Sequence, residues 1–502
     1  MMRSRRFAFA ASTILMLSAA CGSGGSSSGG DSPPTGPATT PPGTDPNAPG
    51  TPGGPAVPGT PGTPGTPGAP TPPVNPYQHF DINHVLSTGQ SNSVANDATP
   101  PITAAQPYAN IKFSSGVMPG RQCDGSGCKS YLKPTGFIPL VEGDSFFGYA
   151  VETMSSGLAN EASKLAKEKF LVGKPTPTHD VLVSLHGRSG NTYICLRKGG
   201  CNFKGTAAGY IPPFEEGMME VSDAMALAKA AGKSYVVRAA TAIHGESDHY
   251  SYSNNQQEFP MPATSGGGTI ANYGEGMIEW QKDYEAGVKA ITGQTIAVPL
   301  LLLQMSNWND VKNSQIPTWM LEAHVKAPSK VVVVAPGYAI GYAADCLHFT
   351  NHQERRIGEY FGKAYARIVL EGKPWEPLRP IDIKIAGNVV TAKFVVPKAP
   401  IVLDTTAVKN PGNYGFEFVD DGGATPAITS VVVAGPDTLT ITLASAPTGA
   451  NKRLRYAFTA TPLTCPGREL GPRGNLRDSD DTASVYGYDL ANWSVHFDEP
   501  VK

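Results

Sequence analysis

The chain has 502 residues, 40 Lys and Arg against 42 Asp and Glu, and a formal net charge of -2. Such a length exceeds one ordinary domain and leaves room for two or three. The near-neutral balance, with 16% charged residues, excludes the basic footprint of a nucleic-acid-binding protein and offers no acidic tail.

Arg3, Arg5 and Arg6 precede a mostly apolar run from Phe7 to Ala20. A positive start before a short apolar segment is an export-signal pattern, too short to span a bilayer. The run ends Leu17-Ser18-Ala19-Ala20-Cys21. Small residues directly before a cysteine resemble a bacterial lipoprotein signal, with residues 1–20 removed and Cys21 lipidated. That pattern usually has Leu three residues before the cysteine; here Ser18 stands there and Leu17 lies one further back, so ordinary signal-peptidase cleavage stays open. Either route exports the protein to the cell envelope. Gly22 and Ser23 lack the acidic residue that can retain a lipoprotein at an inner membrane. The expectation is therefore an outer-membrane lipoprotein, touching the membrane through its N-terminal lipid only, or a secreted protein.

Residues 21–76 are Gly, Pro, Thr and Ser with almost nothing large and apolar, and Gly59 to Gly68 repeats a three-residue unit. Such a segment cannot bury a core and reads as a disordered linker. Of the 7 cysteines, six remain beyond Cys21, an even number for an oxidising compartment. Cys123 lies close to Cys128, and Cys195 close to Cys201, so each pair closes a short loop. Cys346 and Cys465 remain and would pair by elimination; two buried free thiols are the alternative. No C-x-x-C spacing occurs, which argues against zinc. No metal and no cofactor are expected.

From residue 77 to 376 strands and helices alternate. Val85 to Thr88, Val181 to Leu185, Tyr235 to Ile243, Ile296 to Gln304 and Lys330 to Ala335 are short apolar, β-branched runs, which suit strands buried on both faces. Met154, Leu158, Ala162 and Leu165 recur at helical spacing. Glu220 to Ala231 is Ala-rich and stops at Gly232, and Glu275 to Ile291 stops at Gly293. Ile357, Phe361, Ala364 and Ile368 line one face of a last helix, which Thr350 and Gln353 open as a capping box. This order predicts a three-layer α/β/α domain on a parallel sheet. After Pro377 the helical pattern stops. Ile381 to Ile385, Val389 to Val396, Ile428 to Val433, Thr438 to Leu443 and Leu454 to Thr459 read as strands, so residues 377–502 are expected to form an antiparallel β-sandwich with a tail that packs on the catalytic domain. Sandwiches of this kind either hold carbohydrate or only pack.

Gly89-Gln90-Ser91-Asn92 follows the first apolar run and places a serine at the C-terminal tip of a buried strand, where open α/β sheets keep their chemistry. Leu182 to Asn191 is a strand running into a loop with Gly190. Ala242 to Asp248 reads Ala-Ile-His-Gly-Glu-Ser-Asp at the end of the third run, and Asp345-Cys346-Leu347-His348 precedes the last helix. Ser early and Asp-x-x-His late, with these blocks between, resemble the SGNH (GDSL-like) hydrolases, and within them the sialate O-acetylesterase and acetylxylan esterase-like group with its G-Q-S-N motif. The resemblance covers about 300 residues, with four blocks in the family's order. It implies a flavodoxin-like fold and hydrolysis of O-acetyl groups on carbohydrate.

Ester hydrolysis needs a nucleophile, a base, a group that orients the base, and donors for an oxyanion. Ser91, His348 and Asp345 supply the first three. The resemblance places Gly190 at the oxyanion, with Asn191 as a further amide, although the family often has Gly-Gly there. It puts His244 where the family has Gln, a departure that leaves its oxyanion role open and admits His244 as a rival base. Gln90 and Asn92 flank the nucleophile. Glu246 is expected to buttress the loops, with Arg188 as a candidate partner. The reading is a secreted or lipid-anchored serine esterase acting on acylated carbohydrate, without nucleic acid. The alternatives are a surface-displayed glycan- or cell-wall-binding protein with an inactive α/β domain, and an esterase or lipase for non-carbohydrate esters.

Overall fold

The five apolar runs lie side by side because each must bury both faces. In the computed structural model they form five adjacent strands of a seven-stranded sheet: β1 (Ile82–Gly89), β2 (Ile111–Phe113), β3 (Phe137–Pro139), β4 (Val181–Leu185), β5 (Tyr235–Ile243), β6 (Leu300–Gln304) and β7 (Val331–Pro336), in the order β3-β2-β4-β1-β5-β6-β7. The structure describes residues 77–502 except 121–130, 146–147, 176–177, 201–210 and 254–257. The signal, Cys21, the linker, the Cys123–Cys128 pair and Cys201 lie outside the described residues.

All pairings in the sheet are parallel except β2 with β3. Taken alone, the five long strands run in the flavodoxin-like order, second-first-third-fourth-fifth. Side chains alternate between faces. Val85, Val183, Leu301, Val332 and Val334 meet α1 (Met154–Leu165) and α7 (Asn351–Tyr365). Their neighbours Leu86, Leu300, Leu302, Val331 and Val333 meet α3 (Pro213–Ala230), α5 (Tyr273–Thr292) and α6 (Ile316–Lys326). Two short helices, α2 (Tyr193–Leu196) and α4 (Glu246–Ser253), follow β4 and β5. α1 and α7 cross backbone to backbone: a Cβ on Gly358 would lie 2.1 Å from the Met154 carbonyl oxygen, and one on Gly157 2.1 Å from that of Arg355.

Several local signals act as expected. Thr350 and Gln353 form a capping box at the start of α7, and Gly293 ends α5 with φ of +70°. Others differ. β2 and β3 were too short for periodicity to reveal. β6 starts at Leu300 rather than Ile296, after Pro299, which has no N–H to give a ladder. α3 begins at Pro213, well before Glu220; a proline in the first turn loses nothing there.

The C-terminal strands form two larger antiparallel sheets and a two-stranded one that pairs Val402–Leu403 with Leu476–Arg477. β8 (Arg379–Ala386), β9 (Val389–Val395), β11 (Ile428–Gly435) and β12 (Thr438–Leu443) run in the order β8-β9-β12-β11, and β10 (Phe416–Val419), β13 (Arg453–Tyr456) and β14 (Phe497–Pro500) in the order β10-β13-β14. Ile383, Val390, Phe394 and Ile441 from the first sheet share a core with Phe416, Leu454, Tyr456 and Phe497 from the second. That core continues into the layer of α5 and α6. The last stretch of chain returns over α7: Lys363 Nζ pairs with Asp480 at 2.7 Å, the Tyr360 hydroxyl donates to Ala491 O at 2.8 Å, and the Arg355 guanidinium lies 4.0 Å from the Tyr486 ring centre. Cys346 and Cys465 are joined across a sequence separation of 119. Cys195 is also disulfide-bonded. Among the described residues no helix is long and apolar enough to cross a membrane.

Candidate active site

The site begins where β1 ends. Gly89 has φ of +130°, and a Cβ there would lie 2.2 Å from the Ile243 carbonyl oxygen, so only glycine lets the ends of β1 and β5 approach. The chain then turns sharply. Gln90 N–H donates to Ile243 O at 3.3 Å, Ser93 N–H to Gln90 O at 2.9 Å, and Asn96 N–H to Ser91 O at 3.1 Å. Ser91 therefore sits at the C-terminal tip of the central strand, beside the point where the strand order reverses. Gly187 closes over this turn, since its Cβ would lie 2.2 Å from Ser93 Oγ.

The loop before α7 brings the histidine. Asp345 Oδ1 accepts the N–H groups of Leu347 and His348, both at 3.0 Å, and its Oδ2 lies 2.6 Å from His348 Nδ1. Nδ1 is therefore the protonated nitrogen. Nε2 faces Asn96 Nδ2 at 3.3 Å and accepts from it, because the Asn96 Oδ1 is taken by the Tyr149 hydroxyl at 3.0 Å. This is the neutral tautomer a general base needs. Burial pushes Asp345 up, but hydrogen bonds from the His348 ring and from the N–H groups of His348 and Leu347 outweigh it, so the carboxyl ends well below the usual range. Among the described residues the Ser91 hydroxyl makes no hydrogen bond, to His348 or to any other group.

A second carboxylate shares Nδ1. Asp97 Oδ2 lies 3.2 Å from it, and burial, offset by His348 and reinforced by Asp345, raises Asp97 above the ordinary carboxyl value. Among the described residues, Asp97, Asp345 and His348 bring ligand-type atoms within 4.8 Å of one another, and here the two carboxylates share the Nδ1 proton. Asn96, Asp97 and Tyr149 escaped the sequence reading. The one signal was the polar pair Asn96-Asp97 in the loop after Ser91.

The remaining loops wall the site. Gln90 Oε1 accepts the N–H groups of Gly245 and Ser247, at 3.4 and 2.9 Å, and so ties the Ser91 turn to the start of α4. Asn92 Nδ2 donates to Glu246 Oε1 and to Leu347 O, each at 3.2 Å, which joins that turn to the histidine loop. Burial pushes Glu246 up to about 7. Arg188 is not its partner: the guanidinium bonds Glu216 on α3 and Gly187 O instead. The reason is placement, because Glu216 is fully buried directly beneath the Arg188 loop.

His244 is buried, with Nδ1 2.7 Å from the Tyr273 hydroxyl and Nε2 3.1 Å from Asn191 O. Burial drives its pKa down to about 4. Both ring nitrogens are engaged, so His244 acts on the carbonyl side of the Asn191 peptide and neither faces a substrate as a base. Gly190 has φ of +74°. Among the described residues the backbone N–H groups of Ser91 and Gly190 have no hydrogen-bond partner.

The fold and these loops define a doubly wound α/β protein with Ser, His and Asp at the C-terminal edge of its sheet. No protein-family model matches the sequence, and no curated protein matches it. Among solved structures it is similar to a novel carbohydrate acetylesterase from Xanthomonas citri, at 13% identity over 83% of this chain and 80% of that one, with a TM-score of 0.47. It is also similar to a protein from Arabidopsis thaliana, at 14% identity over 57% and 98% of the two chains (TM-score 0.37). NanS aligns at 14% identity over 58% and 99% (TM-score 0.34). The functional reading rests on the geometry of the site.

Proposed function

We propose that this protein is a serine esterase that removes acyl groups, O-acetyl above all, from carbohydrate. The observation that carries the reading is the arrangement of His348: Nδ1 is fixed by Asp345 at 2.6 Å, and Nε2 presents its lone pair beside the Ser91 turn. On substrate binding, Nε2 exchanges the Asn96 amide for the Ser91 hydroxyl, as catalytic hydrogen bonds tighten in the complex. Ser91 Oγ bonds to the ester carbonyl carbon and its proton passes to Nε2. The oxyanion meets the N–H groups of Ser91 and Gly190, with the Asn191 side chain beside them; one such donor is worth about 2.7–4 kcal/mol. Collapse breaks the bond to the sugar oxygen, which takes the proton from His348. Water, deprotonated by the same imidazole, then releases the acid. Ser91→Ala is the test: hydrolysis of an aryl acetate should vanish while the melting temperature stays, and wild-type turnover would overturn the assignment.

One observation favours a second reading. Among the described residues, Ser91 and His348 are not hydrogen-bonded to each other, as would suit an inactive scaffold that holds glycan without cleaving it. A fluorophosphonate probe that labels Ser91 excludes that scaffold. We also propose export with a lipid on Cys21, for which the sequence is the support. Wild-type protein should then partition with membranes and Cys21→Ser should not.

A further inference from the structure

His348 meets one short turn with both of its ring nitrogens. Asn96 Nδ2 lies 3.3 Å from Nε2, and Asp97 Oδ2 lies 3.2 Å from Nδ1. On either side of Asn96, Ala95 and Asp97 hold φ of +56° and +67°. Residues with a Cβ avoid that left-handed region, and such conformations persist only where the surroundings over-determine them, above all at functional sites. The surroundings do so here. Asn96 N–H donates to Ser91 O at 3.1 Å, Ala98 N–H to Ala95 O at 3.1 Å, and Glu152 N–H to Ala98 O at 2.9 Å. The last bond ties the turn to the segment just ahead of α1, and that segment carries Tyr149.

Tyr149 decides which end of the Asn96 amide faces the base. Its hydroxyl donates to Asn96 Oδ1 at 3.0 Å, and its oxygen accepts the Asp97 N–H at 3.4 Å. With Oδ1 engaged, Nδ2 is the end turned to the imidazole. A side-chain amide is alike in shape at its two ends and opposite in hydrogen bonding, so a half-turn would bring Oδ1 to Nε2 instead. The difference matters for a base. An Nδ2–H at Nε2 meets a lone pair and favours a nitrogen that carries no proton. An Oδ1 at Nε2 accepts an N–H and favours a proton on the nitrogen that must take one from Ser91.

Resting on the esterase reading above, the geometry points to Tyr149 and Asn96 as positioning residues for the base: Tyr149 fixes the Asn96 amide, and the amide keeps the His348 lone pair unprotonated and covered until Ser91 takes its place. The bond from Asn96 must break before the Ser91 hydroxyl reaches Nε2. Asn96 therefore restrains the reaction, while Tyr149 prevents the worse arrangement with the amide turned round.

The test is a double-mutant cycle on the full chain, Asn96→Ala, Tyr149→Phe and the two together, read with an aryl acetate. Asn96→Ala removes the competitor for Nε2 and should raise kcat roughly three- to fivefold, the worth of one neutral hydrogen bond. Tyr149→Phe frees the amide to turn and should lower kcat roughly three- to tenfold at unchanged KM. The double variant has no amide left to turn and should recover to the Asn96→Ala level. A hydroxyl that only supports the fold would give a loss that Asn96→Ala does not cure. Nitrogen NMR spectra of the histidine-labelled chain read the same arrangement without turnover. The Nε2 signal of His348 should move toward that of a protonated nitrogen in Tyr149→Phe and return in the double variant. A fall of kcat in Asn96→Ala overturns the proposal, even if Tyr149→Phe fails to fold. A Tyr149→Phe loss that persists in the double variant also overturns it, as does an Nε2 signal unmoved by Tyr149→Phe. Failure of the esterase reading itself shows separately, as aryl acetate turnover surviving Ser91→Ala, and the nitrogen spectra then still decide the role of the amide.

Discussion

Replacing Asp345 by Asn tests the orientation of the base most directly. The carboxylate does two jobs with two oxygens. Oδ1 accepts the N–H groups of Leu347 and His348 at 3.0 Å, and Oδ2 accepts Nδ1–H of His348 at 2.6 Å. An asparagine keeps its carbonyl oxygen on the two backbone N–H groups, so the turn survives. Its amide nitrogen then faces Nδ1, and N–H meets N–H. The imidazole relieves this by moving its proton to Nε2, where it can no longer accept from Ser91. In a serine protease, where a single carboxylate orients the histidine, this substitution costs about 10⁴ in kcat. Here Asp97 Oδ2 stands 3.2 Å from the same nitrogen and still favours a proton on Nδ1. The expected loss for Asp345→Asn is therefore nearer 10³, about 4 kcal/mol in the barrier. Asp97→Asn alone should cost less than about tenfold, and the double variant should approach 10⁴. Steady-state kinetics with an aryl acetate gives kcat and KM, KM should hardly move, and a thermal melt confirms the fold. If Asp345→Asn stays within tenfold of wild type, Asp345 is not the orienter. If Asp97→Asn alone is the more damaging change, the role belongs to Asp97.

Glu246 holds a proton in the folded protein up to about pH 7, whereas an ordinary carboxyl loses it near 4.5. Its contribution to stability is therefore present below about pH 4.5 and is lost as pH rises through 7. Glu246→Gln should flatten the fall of melting temperature across that window, and parallel curves for the two proteins would refute the burial argument. Cys465→Ser opens a loop spanning 119 residues, for which chain entropy gives about 5 kcal/mol as an upper figure. Urea unfolding under oxidising conditions should show a loss of several kcal/mol, and a loss under about 1 kcal/mol would refute a stabilising cross-link. Gly358→Ala puts a methyl 2.1 Å from Met154 O, so α1 and α7 must part; a loss of about 2–3 kcal/mol, or no soluble protein, is expected, and an unchanged melting temperature would contradict the close crossing.

Short-range chemistry was legible in the sequence. Buried strands show as unbroken β-branched runs, and Gly89 before Ser91 shows as a strand end because glycine stands where the backbone needs φ of +130°. Asp345 and His348 sit three apart, the spacing at which a turn lets one carboxylate serve a ring and two backbone N–H groups. Cysteine parity led to Cys346 and Cys465. What stayed hidden depends on which elements meet. Arg188 bonds Glu216 rather than Glu246 because α3 passes beneath it. Tyr149 reaches Asn96 across 53 positions of chain, and no periodicity reports such a meeting. β2 and β3, three residues each, acquire their identity only from the edge they complete.

The bond between Cys346 and Cys465 also orders events in time. Ser91 is made early, and β1 can settle against β4 and β5 once those strands exist. The loop with Asp345 and His348 is made much later, and Cys346 inside it waits for a partner 119 residues further on. A ribosome must pass Cys465 before that link can close. A fragment ending before Cys465 would hold Ser91 and His348 and still lack the bond that ties the His348 loop to the C-terminal strands. The loop that carries Asp345 and His348 is thus secured to the C-terminal strands only after both cysteines have been made.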